Sequence, residues 1–351
     1  MNNQSTTFLH NRDALLPPDS PTLQITHRFE VGDRLIALQW GRCGHPLRAF
    51  TRDGRETVFD TVSGHLIRTT SFTAENTSCV CCRPQTSEFS FLSADGVSGS
   101  PDPDTPRFRD VSALSWSPCG RFLAVLAAET LNIWNAEKRK LVTAPHQIRQ
   151  FGGLAWRENP PDGCGELATG IPGGVLLWAA SGSISLHEHP GLAAASVMAW
   201  QPGGRYLALG YPDGTARIWN PVAAAITRLQ GPAAPITRME WNEAGSILIA
   251  MSGRAISAWS LSAALHNGGQ TLGWERRESP MTALAMRGTG RLAAVGHLDG
   301  LLELRRMSGG MPLLQALWLP SSIAHLAWSP SGRRLAVGID GGEVCVVRAC
   351  R

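Results

Sequence analysis

Apolar residues recur along this chain in short runs rather than at helical spacing. Residues 198–220 read MAWQPGGRYLALGYPDGTARIWN, with an apolar run ending at Trp200, a polar turn and a second run over 206–211. A Pro-Asp-Gly turn at 212–214 follows, then a third run ending at Trp219. Runs of about six residues separated by turn residues predict three antiparallel strands joined as a meander. The pattern returns along most of the chain. Tryptophan ends the first strand at Trp40, Trp116, Trp156, Trp200, Trp241 and Trp328, with Met286 in the matching place. After Trp116 the steps are 40, 44, 41, 45 and 42 residues. A second series ends the third strands 18 to 22 residues later, at Phe59, Trp134, Trp178, Trp219, Trp259, Arg305 and Val347. Ten of the twelve tryptophans fall in one of the two registers, so chance does not explain them.

A period of 40–45 residues, four short strands, an Asp-Gly or Gly-Gly turn before the third strand and Trp at its end together resemble the WD-repeat family. The matching stretches are WSPCGRFLAVLAAETLNIWN (116–135), 198–220, and WSPSGRRLAVGIDGGEVCVV (328–347). The resemblance covers roughly 22–351. It implies an all-β, seven-bladed β-propeller of four-stranded antiparallel blades, and it implies no activity, because the family carries many partners on one scaffold. The Trp-Asp pair of the family stands here as Phe59-Asp60, Trp134-Asn135, Trp178-Ala179, Trp219-Asn220, Trp259-Ser260 and Arg305-Arg306. The Gly-His pair expected upstream of each first strand is absent. The family's buried polar network is therefore expected to be largely missing and apolar packing to replace it, since a half-satisfied buried network costs more than none.

Residues 1–21 are polar and proline-rich and read as a disordered tail ahead of the propeller at 22–351. Residues 22–31 (TLQITHRFEV) read as one isolated strand. The last repeat supplies three strands before Arg351, so that N-terminal strand is expected to complete its blade and clasp the ring shut. Trp40 and Trp116 lie 76 residues apart, nearly two repeats. The stretch between holds few alternating apolar residues, and VSGSPDPDTPRFRD (97–110) holds three prolines. It is read as an irregular insertion at about 71–110, the alternative being an eighth blade.

The hydrophobic fraction of 43% is ordinary for a globular protein, and the net charge of +4 by itself implies neither nucleic acid nor membrane. Lys138 and Lys140 are the only lysines; the remaining basic residues are arginines, which suggests a GC-rich, bacterial origin. The N-terminus lacks the features of a secretory signal, and no run approaches the roughly 18 apolar residues a span needs. Eight scattered cysteines fit a reducing compartment, so the expected location is cytoplasmic.

Chemistry-bearing clusters are few. Cys79, Cys81 and Cys82 (CVCC) have no second half at zinc-site spacing, and Cys43, Cys119 and Cys164 fall in equivalent turns of different repeats. His187 and His189 flank Glu188 on an outer strand, where both imidazoles are expected to face solvent and could chelate. His325 is the only histidine in a first strand. Arg121, Arg205, Arg291 and Arg333 each follow the glycine of the turn between first and second strands. They are expected to ring one face and to receive acidic or phosphorylated groups. No nucleophile elbow, P-loop, zinc-protease or dinucleotide motif occurs. The reading is a non-enzymatic scaffold that docks another protein and uses no cofactor. The alternative is a propeller that binds a metal or small ligand through its Cys and His positions.

Overall fold

The computed structural model describes residues 23–348 except 73–76, 84–85, 87–88, 94–95, 101–107, 109–110, 128–129, 148–151, 159–164, 180–183, 189–192, 232–233, 268–271 and 276–278. Among these residues the only helix is the seven-residue Leu261–Asn267; everything else regular is strand. Seven sheets have four strands and one has three. In chain order they span 35–71, 79–100 (the three-stranded one), 111–147, 154–188, 197–229, 238–275, 281–318 and 323–348. The eighth takes its fourth strand, Gln24–Glu30, from the N-terminal end. The chain divides into two compact units, one of residues 1–51, 56–70 and 272–351, the other of 52–55 and 71–271.

Burial is deepest in the second strands. The second strands read FLAVLA (Phe122–Ala127), ILIAMS (Ile247–Ser252), LAAVGH (Leu292–His297) and RLAVGI (Arg334–Ile339), and nearly every residue in them is buried. Both faces of such a strand are buried, which is why the sequence is continuously apolar rather than alternating. The outermost strand His65–Ser71 is exposed throughout. Within the first-named unit, one cluster joins Ala285, Ala294 and Leu304 of the seventh sheet to Leu335, Val337 and Cys345 of the eighth. A second joins Leu47 and Phe59 of the first sheet to Phe29, Ala336 and Val346. In the other unit, Trp200 and Leu207 pack on Val175 and Leu177 of the preceding sheet, and Trp156 packs on Phe122 and Leu126.

The two tryptophan series do different work. Trp134, Trp178, Trp219 and Trp259, at the third-strand ends, are core, each exposed by 4% or less. Five of the six first-strand tryptophans also clamp sheet to sheet by a hydrogen bond. Trp156 Nε1–H donates to Ser115 O at 3.0 Å, Trp200 to Ala155 O at 3.1 Å and Trp241 to Ala199 O at 3.0 Å. In the other unit Trp328 donates to Ala285 O at 3.1 Å and Trp40 to Ala327 O at 2.8 Å. Indole suits this place because its ring fills the seam while its single N–H finds the neighbour's carbonyl.

Residues 71–110 depart from expectation. They carry Cys79–Cys82, Phe89–Ser93 and Gly96–Ser100 as an antiparallel meander, and Cys79 and Cys81 pack with Leu114 and Trp116 of the next sheet. The prolines that argued against strands, Pro101, Pro103 and Pro106, come after the third strand and lie outside the described residues. The tail expected at 1–21 also lies outside them.

Buried polar groups depart too. In the seventh sheet His297 Nε2 lies 3.1 Å from Glu303 Oε2, and Arg305 Nε donates to the same oxygen at 3.1 Å, all three side chains being at most 9% exposed. In the first sheet buried Glu56 accepts from Arg48 at 2.5 Å and from Arg68 at 3.2 Å. Ionic networks thus occupy two sheets where apolar packing was expected. Each is closed by opposite charges, which is the condition for burying it.

Candidate functional site

The four turn arginines stand on one local device. In each turn the glycine N–H donates to the carbonyl three residues back: Gly120 to Ser117 at 2.8 Å, Gly204 to Gln201 at 2.7 Å, Gly290 to Arg287 at 2.6 Å and Gly332 to Ser329 at 2.7 Å. The glycine φ angles are 69°, 70°, 71° and 62°, a region L side chains rarely enter, so the turn needs glycine there. Ser117 Oγ accepts from Phe122 N–H at 3.0 Å and Ser329 Oγ from Arg334 N–H at 3.1 Å, which fixes how the chain leaves the turn. The arginine sits two residues before the strand residue paired with the first-strand Trp or Met. Arg205, Arg291 and Arg333 are exposed, and Arg121 is half-buried. The first, fourth and sixth sheets carry His45, Gly165 and Ser246 at that register position. Arg291 and Arg333 belong to neighbouring sheets of one unit, Arg121 and Arg205 to the other.

A second set of arginines escaped the sequence reading. Arg83, Arg157 and Arg287 each directly follow a first strand and reach the next sheet. Their guanidiniums lie over the rings of Trp116, Trp200 and Trp328 at 5.3, 5.2 and 6.0 Å. Arg83 Nε also donates to Gly120 O at 2.6 Å, and Gln201, at the equivalent place, donates to Gly245 O at 2.7 Å. These side chains brace the turns that carry the exposed arginines. The signal was present in the sequence as the residue after each first-strand end, but arginine there looks like any surface cation.

The family's aspartate position also has a local role. Asp60 accepts from Val62 N–H at 2.8 Å and Ser63 Oγ at 2.7 Å; Asn135 accepts from Glu137 and Lys138 N–H, and Asn220 from Val222 and Ala223 N–H. The Val62 and Ser63 donors hold the Asp60 carboxyl below the usual carboxylate range. Asp and Asn therefore recur here as turn formers.

Cysteine and histidine positions do not assemble into a centre. Among the described residues no three His, Cys, Asp or Glu side chains converge as metal ligands. Cys81 accepts from Trp116 N–H at 3.3 Å, and burial pushes its thiol up to about 12. Cys43 is exposed, Cys119 is half-buried beside the Ser117 hydroxyl, and Cys164 lies outside the described residues. His187 does not face solvent as expected: its ring lies 4.8 Å from that of Trp219, which draws it down onto the sheet. His189 lies outside the described residues. His325 Nε2 lies 3.2 Å from Leu35 O of the first sheet.

The model of the WD domain, G-beta repeat, matches residues 181–220. Residues 181–220 thus carry a WD repeat, and the chain is similar to WD-repeat proteins. It is 22% identical over 231 residues to telomerase protein component 1 of Mus musculus, a match covering 62% of the chain and 8% of that protein. It is 24% identical over 216 residues to angio-associated migratory cell protein of Canis lupus familiaris, covering 56% of the chain and 48% of that protein. The matches thus span less than half of either relative. Both are mammalian, so the bacterial origin suggested by arginine usage is not borne out. Among solved structures, the computationally designed Ika8 protein superposes with a TM-score of 0.75 at 18% identity, over 93% of this chain and all (100%) of that one. The β-propeller domain of Cps50 (Swd1) from Myceliophteria thermophila gives 0.61 at 16% identity over the same shares, 93% and 100%. These likenesses carry the fold: the chain is all-β and of the β-propeller kind. No helix among its described residues is long and apolar enough to cross a membrane.

Proposed function

We propose that the chain is a non-enzymatic cytoplasmic scaffold that docks another protein through side chains carried on its turns. The observation that carries this reading is the recurrence of one glycine-locked turn presenting arginine at the same register position in four sheets. Rigid turns hold the guanidiniums without the ordering cost a flexible loop would incur, which favours binding of a complementary anionic surface. The likeness to WD-repeat proteins supports the same reading, since such propellers generally mediate protein interactions. In this proposal the eight sheets are the blades of one propeller, closed where Gln24–Glu30 pairs with Glu343–Arg348. The test is affinity purification with the tagged full chain and a variant in which Arg121, Arg205, Arg291 and Arg333 are all changed to Gln. The variant is expected to fold, because exposed charges contribute little stability, and to lose salt-sensitive partners. Unchanged partner recovery would overturn the role of these arginines.

A further inference from the structure

Arg291 is not isolated on its turn. It lines a cleft of about 840 Å³ at one end of the seventh sheet, within the roughly 300–1,000 Å³ typical of ligand sites. Two turns meet there: the one between Met281–Met286 and Leu292–His297, and the one between Leu301–Arg306 and Leu313–Trp318. The first contributes Arg287 and Arg291, the second Arg306 and Met307. Leu304 and Arg306 share a face of their strand by simple alternation, and Leu292 pairs directly across from Arg306. Three arginines therefore line the cleft together with half-buried Leu292 and Met307, above the buried Leu304.

The charges are uncompensated. Among the described residues, none of the three guanidiniums has a carboxylate within 4.0 Å. The contrast is local, since neighbouring Arg305 is paired with buried Glu303. Three like charges around a concave, partly apolar surface focus a positive potential and repel one another until an anion arrives. Planar forked donors favour carboxylate geometry, and Arg287, lying over the Trp328 ring, is already held in place.

We propose that this cleft binds a short acidic peptide segment of a protein partner, with carboxylates on Arg287, Arg291 and Arg306 and an aliphatic side chain on Leu292 and Met307. This rests on the reading that the chain docks a protein through its arginine-bearing turns, and names the chemistry of one such contact. Nucleic acid fits less well. Among the described residues no aromatic side chain lines the cleft to stack a base, and a polyanion would leave its apolar lining unused.

The probe is a fluorescein-labelled hexapeptide, Asp-Leu-Asp-Glu-Leu-Asp, titrated with the full chain and followed by anisotropy. Wild type is expected to bind, and R291Q/R306Q to bind at least about tenfold more weakly, each charge-assisted contact being of that order. Replacing both leucines of the peptide by alanine is expected to weaken binding several-fold, and R228Q, at an exposed position of the fifth sheet outside the cleft, to change nothing. A charge-reversed pair, R306E with a Lys-for-Asp peptide, is expected to regain binding, which separates lost contact from lost fold. Equal binding by R291Q/R306Q, or displacement by oligothymidylate or inorganic phosphate as efficient as by unlabelled peptide, would overturn the proposal. If R306Q retains both peptide and native partner while the four-arginine variant loses the partner, the cleft falls and the scaffold reading stands.

Discussion

Arg305 stands where four other sheets carry tryptophan, and at 7% exposure it is as much a core residue as they are. What makes that tolerable is Glu303 two residues earlier, on the same face of the strand, with His297 on the neighbouring one. Burial alone would raise the Glu303 carboxyl, but hydrogen bonds from His297 and Arg305, together with the arginine charge, hold it below its ordinary value. A carboxyl depressed in the folded state stabilises the fold above its unfolded value, near about 4.3, and loses that contribution as pH falls through the lower folded value. Urea unfolding at pH 7 and at steps from pH 5 down to 2 should therefore show wild type losing stability in that window. Glu303→Gln should start about 3–5 kcal/mol less stable at pH 7, since it strands a buried arginine, and should decline less on acidification. Parallel pH profiles for the two proteins would show that the triad is not coupled to folding.

At the scale of elements, the seams between sheets decide more than the sheets themselves. Trp200 fills its seam and donates to Ala155 O, whereas Trp116 Nε1 is buried with no hydrogen-bond partner. Phenylalanine substitution removes similar ring area at both places but a satisfied N–H only at Trp200. Trp200→Phe should therefore cost about 1 kcal/mol more than Trp116→Phe by denaturant titration; equal costs would mean the indole N–H contributes nothing to the seam. This division of labour was only half legible in the sequence. Spacing located both tryptophan series, because strand length and turn chemistry repeat with the blade. It could not say that both series pack in the seams while the first-strand series adds an indole hydrogen bond to the neighbouring sheet, since that depends on how sheets pack. Nor did it settle the three strands within 71–110: the runs at 78–82 and 88–94 carry strand signal, but the three prolines within 97–110 favour an insertion over an eighth blade. The exposed turn arginines were legible because glycine marks their turn. The cleft was not, because it joins Arg291 to Arg306, residues linked by strand register and not by any local motif.

At the scale of the whole molecule, the N-terminal strand matters out of proportion to its length. Gln24–Glu30 runs antiparallel to Glu343–Arg348, from Gln24 opposite Arg348 to Glu30 opposite Glu343. Arg28 pairs with Glu343 at 2.6 Å, and Val31 N–H donates to Gly342 O at 2.7 Å. Phe29 stacks on Phe59 of the first sheet at 4.2 Å, so one strand ties the first and eighth sheets together. Leu23, Phe29 and Val31 are all at least nine-tenths buried, at 4%, 7% and 5% exposure. At about 1.5–3 kcal/mol each, their burial is comparable with the roughly 5–15 kcal/mol that holds a typical domain folded. Removing residues 1–31 would also bare the edge of Glu343–Arg348, whose Val344, Val346 and Val347 invite pairing with another chain. Removing residues 1–20 touches none of these contacts. The longer truncation is therefore expected to aggregate or to melt well below wild type, and the shorter one to match wild type in thermal melting and light scattering. Equal melting of the two truncations would mean that the pairing of Gln24–Glu30 with Glu343–Arg348 is dispensable, and the proposal that it closes a propeller would fall.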